Sequence, residues 1–104
     1  MSLRRDKRTM HKGDEEEILS VLMHMAKDKE LLRRFLRDIL TSQEYEDLAI
    51  RWQLVKELEE GTPQRDIVEH LGVSLSRINR GSRALQESKG GFAEALRRFG
   101  KRRH

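Results

Sequence analysis

A run of polar side chains between residues 76 and 83 has the chemistry needed to bind DNA bases and phosphates. Arginine can bond guanine bidentately, asparagine can bond adenine, and serine or arginine can bond phosphate. The polar residues of the run are Ser76, Arg77, Asn79, Arg80 and Arg83. On a single helix they would share much of one face, which predicts a helix able to enter a major groove.

The sequence around this run predicts a helix-turn-helix over about residues 63–86. The apolar positions that share the inward face of its first helix are Ile67, Val68 and Leu71. Gly72 ends that helix, because glycine adopts the left-handed backbone at least steric cost. Ser74 can cap the second helix. The residues predicted to point inward from the second helix are Leu75, Ile78 and Leu85.

The same pattern also occurs in helical bundles that do not contact DNA. There the glycine is only a helix stop and the arginines form a solvated face. Val68 occupies a position that most DNA-binding examples fill with Ala or Gly, which implies a wider crossing of the two helices. The spacing alone therefore leaves both interpretations open.

Length and composition predict one small cytoplasmic domain that gains buried area by association. A chain of 104 residues has a marginal core by itself. The absence of Cys excludes disulfides and zinc-thiolate sites, and fits a reducing cytoplasm. No apolar run approaches the roughly 18 residues of a membrane-spanning helix. The charged start, MSLRRDKR, lacks the apolar stretch of a signal peptide.

Charge is divided unevenly along the chain. The formal charge of +4 combines +4 in residues 1–12, −6 in residues 13–61 and +6 in residues 62–104. Basic residues thus mark the helix-turn-helix half and both ends. This distribution is typical of a polyanion-binding site on an acidic scaffold.

Helix start and stop signals predict an all-α fold of six helices. We expect Asp14 to cap the first helix. Thr41 and Glu44 form a capping box before the third. Thr62 is the predicted cap of the fourth, with Pro63 at its first helical position. No stretch alternates apolar and polar residues for long enough to indicate a strand.

The predicted organisation is a flexible basic arm (residues 1–13), a single helical domain (residues 14–99) and a basic tail (residues 100–104). The arm either lies along DNA phosphates or has no role. The second and third helices have apolar stripes too wide for surface helices of a small monomer. These stripes comprise Leu31, Leu32, Phe35, Leu36, Ile39 and Leu40, then Tyr45, Leu48, Ala49, Trp52, Val55 and Leu58.

Over residues 31–86 the sequence resembles the bacterial tryptophan operon repressor family. The segments that carry the resemblance are LTSQEYEDLAIRWQLVKELEEG, TPQRDIVEHLG and INRGSRAL. The resemblance implies an intertwined homodimer with a six-helix, Trp-repressor-like fold, whose shared core would account for the wide apolar stripes. It also implies binding of double-stranded DNA at a palindromic operator.

The resemblance further implies a site for L-tryptophan as corepressor. Leu40 would direct its carbonyl to the ligand amine, and Thr41 would direct its hydroxyl to the carboxylate. Arg51 and Arg80 would sandwich the indole, because guanidinium planes stack on aromatic rings and pair with carboxylates. Gly81 would let the backbone approach closely. From the residues alone, Thr41 is equally explained as a helix cap and Arg51 as a surface residue.

Two positions depart from the family pattern. Ala84 stands where the best-known members have a serine that bonds the ligand amine, a loss of about 0.5–1.5 kcal/mol. Arg77 stands where a small hydroxyl residue is usual and adds charge near both DNA and ligand. Weaker tryptophan binding, a different small-molecule effector or no effector all stay open.

The predicted function is a sequence-specific transcriptional repressor, of tryptophan biosynthesis or transport genes, that needs no cofactor. The alternative is a regulator of the same type that is ligand-independent or gated by another small molecule. The family places the Gln64-Arg65 pair near phosphates. The predicted DNA-binding residues are Gln64, Arg65, Leu75, Ser76, Arg77, Asn79 and Arg80.

Two other classes of function compete with this prediction. An enzyme is disfavoured because the chain has no Cys, no Gly-rich phosphate loop and no metal-spaced pair among its four histidines, so no catalytic or metal site is predicted. A helical protein that binds RNA or an acidic partner is the second. A repressor would prefer a palindromic duplex over a scrambled one, whereas such a binding protein would not.

Overall fold

A computed structural model of the chain describes residues 11–87 and 89–99. Within these ranges it contains six α-helices and no strand, which confirms the predicted all-α fold. The described residues divide into two compact units, with the boundary between Ser42 and Gln43. Residues 1–10 of the predicted arm and the whole predicted tail lie outside the described residues.

The first unit contains two helices, α1 (Lys12–Met25) and α2 (Lys29–Ile39), which contact each other. The prediction that Asp14 caps α1 is wrong, because the helix begins earlier, directly after His11. Asp14 lies in the first turn, and its carboxylate accepts a hydrogen bond from the His11 backbone N–H at 3.4 Å. The last two residues assigned to the arm, Lys12 and Gly13, therefore belong to the helix.

Both helices of the first unit keep much of their apolar surface exposed. Neither contains a fully buried residue. Their exposed large apolar side chains are Leu19, Met23, Leu31 and Ile39. The wide apolar stripe predicted for α2 is thus partly open to solvent in the single chain.

The second unit contains the four remaining helices, except for Ser42, the first residue of the third helix. They are α3 (Ser42–Glu59), α4 (Gln64–Leu71), α5 (Leu75–Leu85) and α6 (Gly91–Phe99). Its core joins α3 to the predicted helix-turn-helix: Leu54 packs with Ile67, Val73 and Ile78. Ile67 and Ile78 are completely buried. The two helices of the motif therefore share one core with α3.

The turn before α4 differs in detail from the prediction. Gly61 has φ +81, as expected of a helix stop. Pro63, rather than Thr62, occupies the N-cap position of α4. The reason is that the Thr62 N–H donates back to the Glu57 carbonyl at 3.0 Å, while the Pro63 carbonyl accepts from the Ile67 N–H at 3.1 Å. Thr62 thus completes the end of α3.

The turn between α4 and α5 confirms the helix-turn-helix prediction. Gly72 adopts the left-handed conformation, with φ +66, directly after α4. The Ser74 side chain then accepts a hydrogen bond from the Arg77 backbone N–H at 3.2 Å and caps α5. Val73, between them, is buried in the core.

Two predicted inward residues of the motif are exposed. Val68 is 37% exposed because it lies about 100° around α4 from Ile67. Leu75 is 57% exposed because it lies at the edge of the inward face that Ile78 defines, in the first turn of α5. The helix-turn-helix therefore buries a narrower face than the apolar pattern predicts.

The inward face of α3 also differs from the predicted stripe. Its buried residues are Asp47, Leu54 and Val55, whereas Leu48 is 49% exposed. Ile50 and Leu58 complete the face that contacts the core. The helix consequently has two apolar faces, and part of the predicted stripe lies outside the core of this unit.

Candidate DNA-reading surface and adjoining cavity

The helix-turn-helix presents all of its predicted DNA-binding residues to solvent. Gln64 and Arg65 occupy the exposed first turn of α4. On α5, four exposed residues opposite the buried Ile78 form a surface that we call the reading face: Ser76, Asn79, Arg80 and Arg83. Arg77 and Leu75, also exposed, flank it. This arrangement offers hydrogen-bond donors and positive charge to a polyanion.

Two acidic residues of α3 pair with the helix-turn-helix. Arg77 Nη1 donates to Asp47 Oδ1 at 3.5 Å, which joins α3 to α5. Glu57 Oε1 lies 3.0 Å from His70 Nδ1, which joins α3 to the end of α4. The Glu57 carboxylate raises the pKa of His70 above its ordinary value, because it accepts a hydrogen bond from the ring.

Asp47 is a site residue that the sequence analysis missed. Its side chain is only 13% exposed, and Gln43 Nε2 also donates to Oδ1 at 3.1 Å. The available signal was its spacing, seven residues before Leu54, which places an acid on the core-facing side of α3. A carboxylate at such a position needs a polar partner.

A cavity of about 290 Å³ lies between α3, α5 and α6. This volume is close to the lower end of the range for small-molecule sites, about 300–1,000 Å³. Its lining includes three residues of the predicted ligand site, Arg51, Arg80 and Gly81. The other lining residues are Leu54, Val55, Arg77, Ala84 and Phe92. Apolar side chains and three arginines therefore line one space.

The remaining two predicted ligand residues belong to the first unit. Leu40 follows the last residue of α2, and Thr41 directly precedes α3. The predicted start of α3 after Thr41 is confirmed. The roles of Leu40 and Thr41 toward a ligand stay predictions.

Gly81 brings α5 close to α3. A Cβ atom at this position would lie 3.3 Å from Leu54 Cδ2 and 3.4 Å from Leu58 Cδ1. Close packing of α5 on α3 therefore explains why position 81 is a glycine. The predicted close approach of the backbone to a ligand is a second, separate reason.

A second cavity, of about 380 Å³, lies where α3, α5 and α6 end. Acids and bases both line it, among them Lys56, Glu59 and Arg97, and none of the predicted site residues does. Within residues 11–87 and 89–99, no cluster of His, Asp and Glu is suited to hold a metal ion. No helix in this part of the chain is long and apolar enough to span a membrane.

A helix-turn-helix with a cationic exposed helix, packed on a longer scaffold helix, is typical of DNA-binding regulators. The sequence profile of the family described as Trp repressor protein matches residues 14–99. The chain belongs to this family, as the resemblance predicted. The family is one of DNA-binding transcriptional repressors, not of enzymes, and implies dimerisation.

Curated relatives agree with this assignment. The Trp operon repressor homolog of Chlamydia trachomatis serovar L2 (strain 434/Bu) is 36% identical over 88 residues, which cover 80% of this chain and 88% of the relative. The homolog of serovar D is 35% identical over the same shares. No solved structure matches the chain significantly.

Proposed function

We propose that this repressor is a homodimer that binds a palindromic operator of tryptophan biosynthesis or transport genes, with L-tryptophan as corepressor. The observation that carries the proposal is the cavity directly beside the reading face. Arg80 belongs to both, because it lies on the reading face and lines the cavity together with Arg51. A ligand between these two arginines would contact the helix that reads DNA.

The lining of the cavity suits an aromatic carboxylate. Arg51 and Arg80 supply planar cations that stack on an aromatic ring or pair with a carboxylate. Leu54, Val55 and Phe92 supply apolar surface. A ligand held by α3 and α5 together would fix the orientation of the reading helix, and the energy of those contacts would favour the DNA-binding conformation.

The alternative is a repressor that is ligand-independent or gated by another small molecule. It is favoured by Ala84, which lines the cavity without a hydroxyl, and by Arg77, which adds a third guanidinium. Neither residue offers an acceptor for the ammonium group of an amino acid.

On the DNA side, Asn79 and the arginines of the reading face read base edges, while Gln64 and Arg65 contact phosphates. Base contacts supply sequence information, whereas phosphate contacts set position and general affinity. The protein acts in the cytoplasm, where the gene and its effector meet.

An intertwined dimer would cover apolar surface that the single chain exposes. Met23 and Ile39 of the first unit are 74% and 52% exposed, and Leu48 of the second is 49% exposed. Burying such side chains is favourable by about 1.5–3 kcal/mol each. The two faces of α3 fit this proposal, since one packs on the helix-turn-helix and the other is available to a second copy.

The experiment starts by selecting duplexes that the protein enriches from a random pool. Affinity for the enriched duplex is then measured at fixed salt with no ligand, with saturating L-tryptophan and with L-phenylalanine as control. A palindromic duplex bound more tightly with L-tryptophan alone supports the proposal. Equal affinities under all three conditions would leave the alternative, and no enrichment over scrambled duplex would contradict DNA reading.

A further inference from the structure

The ion pair between Asp47 and Arg77 joins α3 to the first turn of α5 at the edge of the cavity. Arg77 lines the cavity and is 43% exposed, whereas Asp47 is only 13% exposed. Gln43 Nε2 donates a hydrogen bond to the same carboxylate oxygen. A partly buried, oriented acceptor is screened less by salt than a surface carboxylate.

This pair connects the same two helices that a ligand in the cavity would connect. A ligand would join Arg51 of α3 to Arg80 of α5. Asp47 lies one helical turn before Arg51 on α3, and Arg77 lies about one turn before Arg80 on α5. Their side chains already join the two helices. The reading helix is thus held on its scaffold without a ligand.

We propose that the Asp47–Arg77 pair is a latch that orients the reading helix in the absence of an effector and gives the repressor a basal affinity for DNA. The proposal rests on the proposed DNA-reading function. It concerns the regulation of the same site, because the latch already restricts the orientation of the reading helix, so the effector has less of this restriction to supply. The effector then raises DNA affinity by a smaller factor than it would in an unlatched chain.

The direction in which Asp47→Asn changes DNA affinity distinguishes this latch from a simple charge effect. Asp47→Asn removes a negative charge beside Arg77. If charge alone mattered, the variant would bind every duplex more tightly, because counterion release grows with positive charge. A latch predicts the opposite for the enriched duplex, because the reading helix loses its fixed orientation.

The first test measures hydrogen exchange of the α5 backbone amides without DNA or ligand. Asp47→Asn is expected to speed exchange of residues 79–85 about twofold to fivefold, the range for a partly exposed ion pair. Arg77→Met, which keeps the aliphatic stem, should have the same effect, and the double variant should add nothing. Glu57→Gln, which breaks the pair to α4 instead, is the matched control and should leave α5 unchanged.

The second test measures affinity for the duplex that the wild-type protein enriches. Without L-tryptophan, Asp47→Asn should bind it about twofold to fivefold more weakly, and L-tryptophan should enhance binding by a correspondingly larger factor than in wild type. Tighter or equal binding by Asp47→Asn would overturn the latch while leaving the proposed function intact. Unchanged exchange in α5, or additive effects of the two substitutions, would overturn the latch whether or not any duplex is enriched.

Discussion

Glu57 on α3 and His70 on α4 place Oε1 and Nδ1 3.0 Å apart, so that the first helix of the DNA-binding motif is joined to the scaffold by a titratable pair. His70 lies at the end of α4 and Arg77 in the first turn of α5, and their partners Glu57 and Asp47 lie in different turns of α3. Each helix of the motif therefore has its own acidic partner on α3.

Stability of this connection should depend on pH. The hydrogen bond to Glu57 is the main cause of the raised pKa of His70, with smaller effects from the charges of Asp66 and Glu69. Because folding favours the protonated ring, the contribution is complete below the unfolded-state pKa, about 6.5, and is lost as pH rises through the folded-state pKa.

Thermal melting of wild type and Glu57→Gln measures this effect. The wild type should melt at a higher temperature at about pH 5.5, and the difference should shrink toward zero at about pH 9. His70→Gln should reproduce the same pattern. A difference that stays constant between these pH values would show that protonation of His70 does not stabilise the connection.

Leu75 and Ile78, three residues apart on α5, should respond differently to truncation. Ile78 is fully buried, so Ile78→Ala should lower the free energy of unfolding by about 2–5 kcal/mol. Leu75 is 57% exposed, so Leu75→Ala should change it by no more than about 0.5 kcal/mol while weakening DNA binding. Urea unfolding and duplex binding of both variants test this, and a large stability loss in Leu75→Ala would contradict the exposed position.

Base reading and phosphate binding should separate by residue. Asn79→Ala should weaken binding to the enriched duplex by about 1–3 kcal/mol and leave binding to random duplex nearly unchanged. Arg65→Ala should weaken binding to both and reduce the salt dependence. Equal losses for both duplexes in Asn79→Ala would assign that residue to the DNA backbone instead.

The ligand response should depend on two residues of the cavity. Arg80→Ala should abolish the increase in DNA affinity on adding L-tryptophan, because it removes both a stacking plane and a carboxylate partner. Ala84→Ser should strengthen L-tryptophan binding, by about 1.5–3 kcal/mol at most, by supplying an acceptor for the ammonium group. Isothermal titration with L-tryptophan measures ligand binding, and duplex affinity with and without L-tryptophan measures the response. Unchanged L-tryptophan binding in Arg80→Ala would exclude this cavity as the ligand site.

Self-association should stabilise the fold. In an obligate dimer the melting temperature rises with protein concentration. Leu48→Glu places a charge on the exposed apolar face of α3 and should lower the association constant measured by sedimentation, whereas Gln53→Glu, at an exposed polar position of the same helix, should not. A compact wild-type monomer at micromolar concentration would contradict the dimer.

Local signals were sufficient to predict the turn between α4 and α5. Gly72 and Ser74 act through their own backbone and side-chain geometry, so their roles follow from residue type and position. The predictions for Asp14 and Thr62 are wrong, because α1 begins directly after His11 and the Thr62 N–H completes the end of α3. Propensity rules leave such shifts of one or two residues open.

The contacts between helices could not be predicted in the same way. The resemblance placed Arg51, Arg80 and Gly81 in one site, and they do line one cavity. The partnership of Asp47 with Arg77, 30 positions apart, depends on how closely α5 approaches α3. That approach is set by Gly81 against Leu54, a packing detail that periodicity does not reveal.

The division of α5 into a packed side and a solvent side has an evolutionary consequence. Ser76, Asn79 and Arg83 are exposed, so substitutions there leave the core undisturbed. Under the proposed function, such substitutions change the preferred operator. Gly81 packs against Leu54, and Asp47 pairs with Arg77, so a substitution at these positions disturbs the contacts that hold α5 on α3. Under that proposal, a lineage acquires new target genes through a few surface positions while the packing between α3 and α5 is inherited unchanged.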